Sequence, residues 1–225
     1  MQEEHKNTKN NKNHPQNPLQ SLKKRSLHCE TCHTNRAQLQ RPKTSERLCQ
    51  DCFFQAIESE ILHTLQSQLP SLSSPTSRNI KIGIGCSGGK DSTFLLHVLH
   101  TLAEKHDLNI SFIMLSIDEG IKGYRDFSLQ CVSRNSQVYG VPLNVLSFKE
   151  LYTYSMDQIA QIVGIESTCT YCGVFRRQAL DRAAAKSGCE VICTGHNADD
   201  LAETFFMNLM RGDAKRILKT QDSQK

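Results

Sequence analysis

An α/β fold, with a parallel sheet, helices on both faces and a small cysteine-rich module at the amino terminus, is predicted by three observations. Short apolar segments alternate with helical stretches from residue 80 onward, two C-x-x-C pairs precede them, and a glycine-rich loop joins the first segment to the next helix. The chain has 225 residues, enough for one ordinary domain and an appendage.

Residues 1–26, "MQEEHKNTKNNKNHPQNPLQSLKKRS", are rich in Asn, Gln and Lys and almost free of apolar side chains. Such a segment cannot bury enough surface to offset the entropy of ordering it, so a disordered tail is predicted. It has no apolar stretch suited to a secretory signal, and Glu3 and Glu4 argue against an organelle presequence. No apolar run is long enough to span a bilayer, so the expected protein is soluble, intracellular and without a membrane partner. The net charge of +4 is compatible with a nucleic-acid partner without requiring one.

The pairs "CETC" and "CQDC" place Cys29, Cys32, Cys49 and Cys52 at zinc-ribbon spacing, with 16 residues between the pairs. The polar stretch between them could not hold a fold by apolar burial, so a structural Zn2+ is expected. Four protein thiolates leave the ion no open position for catalysis. Next comes a helical stripe at Phe53, Phe54, Ile57, Ile61, Leu62, Leu65 and Leu69. The ribbon and this docking helix are assigned residues 27–69, followed by a Pro/Ser linker at 70–79 and the main domain at 80–225.

Within the main domain "IKIGIGC", "ISFIMLSID", "PLNVLSF" and "EVICTG" read as strands, with helices near 91–105, 125–139, 173–187 and 199–211. Ligands of such sheets bind at the carboxyl ends of the strands. "GIGCSGGKDS", residues 83–92, lies at that end of the first strand and offers backbone N–H groups to an anion. It is not a Walker loop: Ile84 stands where the first glycine belongs, and Asp91 where a hydroxyl residue would hold Mg2+. Gly83, Gly85 and Gly88 satisfy G-x-G-x-x-G, but Asp118 follows Gly83 by 35 residues, farther than the spacing of about 20 in dinucleotide folds.

The run "SGGKDS" resembles the PP-loop of the N-type ATP pyrophosphatases, whose fold is adenine nucleotide α-hydrolase-like. Together with "IDEGIKGYRD", "CTYCGVFRRQALDRAA", "TGHNADDLAETFFMNLMRGD" and the double C-x-x-C, it is similar to the cytoplasmic tRNA 2-thiolation protein 1 family across about residues 29–213. The resemblance implies an ATP-dependent tRNA sulfurtransferase. In that scheme the C2 oxygen of the wobble uridine in the tRNAs for Lys, Glu and Gln is adenylated, and sulfur then displaces AMP. The implied cofactors are ATP, Mg2+, Zn2+ and a [4Fe-4S] cluster. The implied partners are tRNA, a second thiolation subunit, and a ubiquitin-related modifier as sulfur donor.

Carried over by motif, Ser87, Gly88, Gly89, Lys90, Asp91 and Ser92 would hold pyrophosphate and Mg2+, and Ile117 and Gly195 would flank the adenosine. Cys169 and Cys172 match the family's cluster or sulfur-handling pair, Arg176 a basic position near the phosphates, and Asp199 an acid for Mg2+ or substrate. The family's third cluster cysteine lies beyond the segment ending "MRGD", and no cysteine follows Cys193 here, so an incomplete carboxyl terminus is expected. Two alternatives stay open: a non-catalytic form that binds ATP and partner, and another N-type adenylating ligase. The alternative for Arg176 and Arg177, ranked below the phosphate-side role, is a solvated helix face. His196 is expected to be a hydrogen-bonded strand-end histidine, Asp118 and Glu119 to be loop caps, and Cys86, Cys131, Cys189 and Cys193 to be small apolar residues.

Overall fold

The computed structural model describes residues 27–73, 78–123 and 125–222, so the predicted tail at 1–26 lies outside the described residues. The described residues form two compact units, divided between Glu60 and Ile61.

In the first unit β1 (Leu39–Gln40) pairs antiparallel with β2 (Arg47–Leu48), and α1 (Gln50–Gln68) begins immediately afterwards. Two-residue strands cannot stabilise a unit alone. Its buried centre is Cys29, Leu48, Cys49 and Cys52, with Phe53 and Ala56 packed around them. The backbone turns tightly at each pair, with His33 N–H donating to the Cys29 carbonyl at 3.0 Å and Phe53 N–H to the Cys49 carbonyl at 3.0 Å. The division between the two units falls within α1, whose Leu65 is buried in the second.

The second unit is built on four parallel strands in the order β5-β4-β3-β6: β3 (Ile80–Gly85), β4 (Ile110–Asp118), β5 (Leu143–Ser147) and β6 (Val191–Thr194). Consecutive strand residues face opposite sides, and β4 shows it directly. Met114 joins Ile84, Leu96, Leu99 and Val132 in one core cluster, whereas Leu115 joins Phe148, Ala179 and Ala183 in another. Hence α2 (Lys90–Lys105) and α3 (Arg125–Tyr139) cover one face, and α4 (Phe148–Tyr152), α5 (Met156–Val163) and α6 (Ile165–Lys186) the other. The expected α/β class is what forms. After β5 the chain crosses to place β6 on the far side of β3, which creates a switch point at the carboxyl ends of the central strands. The chain then enters α7 (Ala198–Met210) and α8 (Ala214–Asp222). No described helix is long and apolar enough to cross a membrane.

The strands match the apolar segments, but the helices differ in three places. Two short helices, α4 and α5, follow β5, each opened by a capping box: Ser147 with Glu150, and Ser155 with Gln158. Helix α6 starts at Ile165 rather than near 173, because Gly164 takes a positive φ of 78° and redirects the chain into it. Cys169 and Cys172 therefore lie one turn apart on a helix instead of on a loop before it. Helix α8 lies beyond the stretches read as helical.

Candidate active site

A cavity of ≈ 290 Å³ opens at the switch point. The carboxyl ends of three strands contribute Gly85, Ile117 and Thr194, and the loop after β3 contributes Ser87 and Ser92. This loop is held by its own hydroxyls. Ser92 Oγ donates to the Gly89 carbonyl at 3.1 Å, lies 3.3 Å from the Ser87 hydroxyl, and accepts from Ser87 N–H at 3.3 Å. Gly88 has φ +82°, and a Cβ there would lie 2.7 Å from the Ser128 carbonyl oxygen, so both conformation and space require glycine. Gly89 caps α2 without a side-chain bond, which leaves the first amides of that helix to the loop side.

Lys90 Nζ pairs with both oxygens of Asp91, at 2.8 and 3.0 Å. That hydrogen bond and charge raise the lysine pKa, with Asp200 and Asp199 adding to the effect, so Lys90 is firmly cationic. Asp91 and Asp200 line the cavity. Asn197 caps α7 by accepting from Asp199 N–H and Asp200 N–H, and the Asp200 carboxylate accepts from Asn197 N–H at 2.8 Å in return. Asp200 thus faces the cavity, while Asp199 sits beside it in the first turn of α7 and is felt through its charge on Lys90.

Gly195 brings the β6–α7 loop onto the start of α2. A Cβ at that position would meet Asp91 C and O at 2.9 Å and Ser92 N at 3.0 Å. Because those atoms are backbone, Gly195→Ala is expected to displace the loop carrying Ser87–Ser92 and to destabilise the fold by about 1–3 kcal/mol. Urea denaturation together with nucleotide titration checks this, and unchanged values in both would contradict the close approach.

The opposite wall is charged. Asp118 caps its loop as expected, its Oδ1 accepting from Gly120 N–H at 2.9 Å. Glu119 does more: it is 5% exposed and lies between two arginines, Oε1 at 2.8 Å from Arg176 Nε and Oε2 at 3.4 Å from Arg125 Nε. Arg176 and Arg125 both line the cavity. Arg177 is exposed and is not part of the lining. Arg176 also donates to Cys172 Sγ at 3.8 Å, so a single guanidinium touches the cavity, a buried carboxylate and a thiol. Burial raises the Cys172 pKa, and the charge of Arg176 acts against that rise. Cys169 is exposed, and neither cysteine lines the cavity itself. His196 does line it, with Nδ1 2.9 Å from Thr194 Oγ1 as expected of a strand-end histidine. Cys86, Cys189 and Cys193 pack with the two apolar clusters.

Glu119, Arg125 and Asp200 were not singled out as site residues in the sequence. Their signal was position: Glu119 directly follows β4, and Arg125 opens the helix after it.

The amino-terminal cysteines fit a metal. The four Sγ atoms lie within 4.8 Å of one another, and Cys32 and Cys49 approach to 3.9 Å. A tetrahedral ion with metal–sulfur bonds of about 2.3 Å would space its sulfurs by about 3.8 Å. The Thr34 hydroxyl and backbone amides of Asn35 and Thr34 pull the Cys32 thiol down to about 5, while hydrogen bonding with Cys49 and burial push Cys52 up to about 12. Around Cys169 and Cys172, by contrast, no third ligating side chain joins the pair among the described residues. Two thiols alone do not fit a complete iron–sulfur site.

A parallel sheet whose central strand runs into a Ser-Gly-Gly-Lys-Asp-Ser loop beside a cavity defines a nucleotide-binding PP-loop protein. The chain belongs to the PP-loop domain family, whose model matches residues 58–225. More narrowly, it is similar to cytoplasmic tRNA 2-thiolation protein 1 of Xenopus laevis, 54% identical over 84% of this chain and 54% of that protein. The same protein of Scheffersomyces stipitis is 53% identical over 85% of this chain and 50% of its own length. The chain spans about half the length of the curated relatives it matches. Among solved structures it is similar to the U34-tRNA thiolase NcsA from Methanococcus maripaludis with its [4Fe-4S] cluster, at a TM-score of 0.72 and 28% identity, covering 85% of this chain and 60% of that one. The resemblance read from the motifs is therefore met by relatives of that name.

Proposed function

We propose that this chain is the nucleotide-binding part of an ATP-dependent tRNA thiolase of the cytoplasm, acting at C2 of the wobble uridine in the tRNAs for Lys, Glu and Gln. The observation that carries this reading is Arg176, which joins the PP-loop cavity to Cys172 through one side chain. The similarity to tRNA thiolases supports it.

A uracil carbonyl oxygen is a poor leaving group until it is esterified to phosphate. The uridine O2 attacks the α-phosphorus of ATP, an O–P bond forms, the α–β bond breaks and pyrophosphate leaves. A sulfur nucleophile then attacks C2, and AMP departs with the original oxygen. Ser87 to Ser92 hold the leaving pyrophosphate through backbone amides and hydroxyls, and Lys90 supplies positive charge to it. Ile117 and Gly195 flank the adenosine. Asp91 and Asp200 would hold Mg2+, which neutralises phosphate charge when bound, and Asp199 adds negative charge beside them.

Cys169 and Cys172 handle the sulfur, with the charge of Arg176 acting against the rise that burial imposes on the Cys172 thiol. In a [4Fe-4S] site they would be two of the ligands. Cys29, Cys32, Cys49 and Cys52 hold structural zinc in a ribbon assigned to residues 27–69, with the ATP pyrophosphatase domain assigned to 80–225. The reaction needs a sulfur donor, and the family resemblance implies a second thiolation subunit and a ubiquitin-related modifier carrying a thiocarboxylate as partners.

Exchange of labelled pyrophosphate into ATP in the presence of tRNA tests the first half-reaction. Lys90→Ala is expected to slow it by about 100-fold or more, as loss of a charge-stabilising group usually does. Equal exchange by the variant and the parent protein would remove the loop from the reaction.

A further inference from the structure

Arg125 is a buried cation that the steps above leave unused. Its side chain is only 6% exposed. Nη2 donates to Ser116 Oγ at 2.8 Å, yet Nε, 3.4 Å from Glu119 and 3.7 Å from Asp118, makes no hydrogen bond. A guanidinium withdrawn from water is costly to leave short of acceptors. Glu119 cannot balance it alone, because its carboxylate is shared with Arg176. Asp118, partly exposed, stands farther off and uses Oδ1 on the Gly120 amide. Both arginines line the same cavity as Ser87 and Ser92.

Resting on the reading above, we propose that Arg125, with Arg176, binds the α-phosphate of the nucleotide and holds the adenylyl group in the cavity after pyrophosphate has left the loop. The loop supplies donors to the departing phosphates, and two guanidinium groups on the other wall remain for the phosphate that stays. Planar forks suit that task, since each can give a phosphate two parallel hydrogen bonds. No bond is made or broken by Arg125.

Calorimetric titration of the protein with AMP, with ATP and with pyrophosphate, each in Mg2+, separates the possibilities. Arg125→Gln is expected to weaken AMP by about tenfold or more, the worth of a hydrogen bond to a charged group, and to leave pyrophosphate within about twofold. Arg125→Lys keeps the charge without the fork and should recover part of the AMP affinity. If Arg125→Gln does not fold, the lysine variant decides alone: AMP weakened while pyrophosphate is retained supports the assignment. Unchanged AMP affinity in a folded variant would overturn it, as would AMP and pyrophosphate falling together with a lowered melting temperature, the mark of a purely structural cation. A parent protein that binds none of the three would overturn the nucleotide-binding reading itself, whereas a parent that binds all three with no selective loss in either variant overturns only the role of Arg125.

Discussion

Cys172→Ser is expected to abolish sulfur transfer and to leave nucleotide binding intact. Cys172 packs against the apolar cluster that includes Leu115 and Phe148, so serine, nearly equal in size, preserves the local packing. What changes is the chemistry. A thiol can carry and deliver sulfur, whereas a serine hydroxyl cannot. Because Arg176 also contacts Glu119, the variant retains the side chain that reaches the cavity. Sulfur transfer should fall by at least about 1,000-fold, as it does when one member of a catalytic unit is lost, with ATP affinity within about twofold. Cys169→Ser should behave alike if the pair acts together. Quantifying 2-thiouridine beside ATP affinity checks this; a serine variant that thiolates at the parent rate would exclude the pair from the reaction.

Loss of metal from the amino-terminal site is expected to unfold that unit. Two strands of two residues and a centre made mainly of cysteine provide little apolar burial. Structural zinc contributes about 10–16 kcal/mol in comparable four-ligand sites, far more than so small a centre could replace. Cys49→Ser removes a buried thiol of the proposed metal site, one that lies 3.9 Å from Cys32 Sγ and accepts from Asn35 Nδ2 at 3.8 Å. Hydrogen exchange should lose protection across residues 27–60, and the bound metal should fall from one ion per chain to none. Protection that survives complete chelation would show that the unit is held by packing alone.

How far the sequence disclosed this molecule depended on the range of the interactions. The four strands were legible because each is a short apolar run bounded by turn residues, and the loop because its paired glycines include Gly88, where backbone must approach closely. Helices α4 and α5 were hidden by brevity, although their capping boxes are written in order as Ser147 to Glu150 and Ser155 to Gln158. The start of α6 was obscured by the polar, glycine-containing stretch around the cysteine pair, which tertiary contacts of Phe175, Ala179 and Ala183 hold helical. Glu119 read as a loop cap because its partners, Arg125 and Arg176, lie on two different helices, and only the fold brings them to one carboxylate. The choice between Asp199 and Asp200 required the phase of α7, which the Asn197 cap sets.

Nucleoside analysis of tRNA after incubation with the protein, ATP, Mg2+ and a sulfur donor, with AMP and pyrophosphate measured in the same reaction, tests the assigned chemistry most directly. The expected result is 2-thiouridine at the wobble position, with one AMP and one pyrophosphate released per thiouridine formed. AMP and pyrophosphate released into a tRNA that carries no thiouridine would instead make the protein an adenylating enzyme of a different kind.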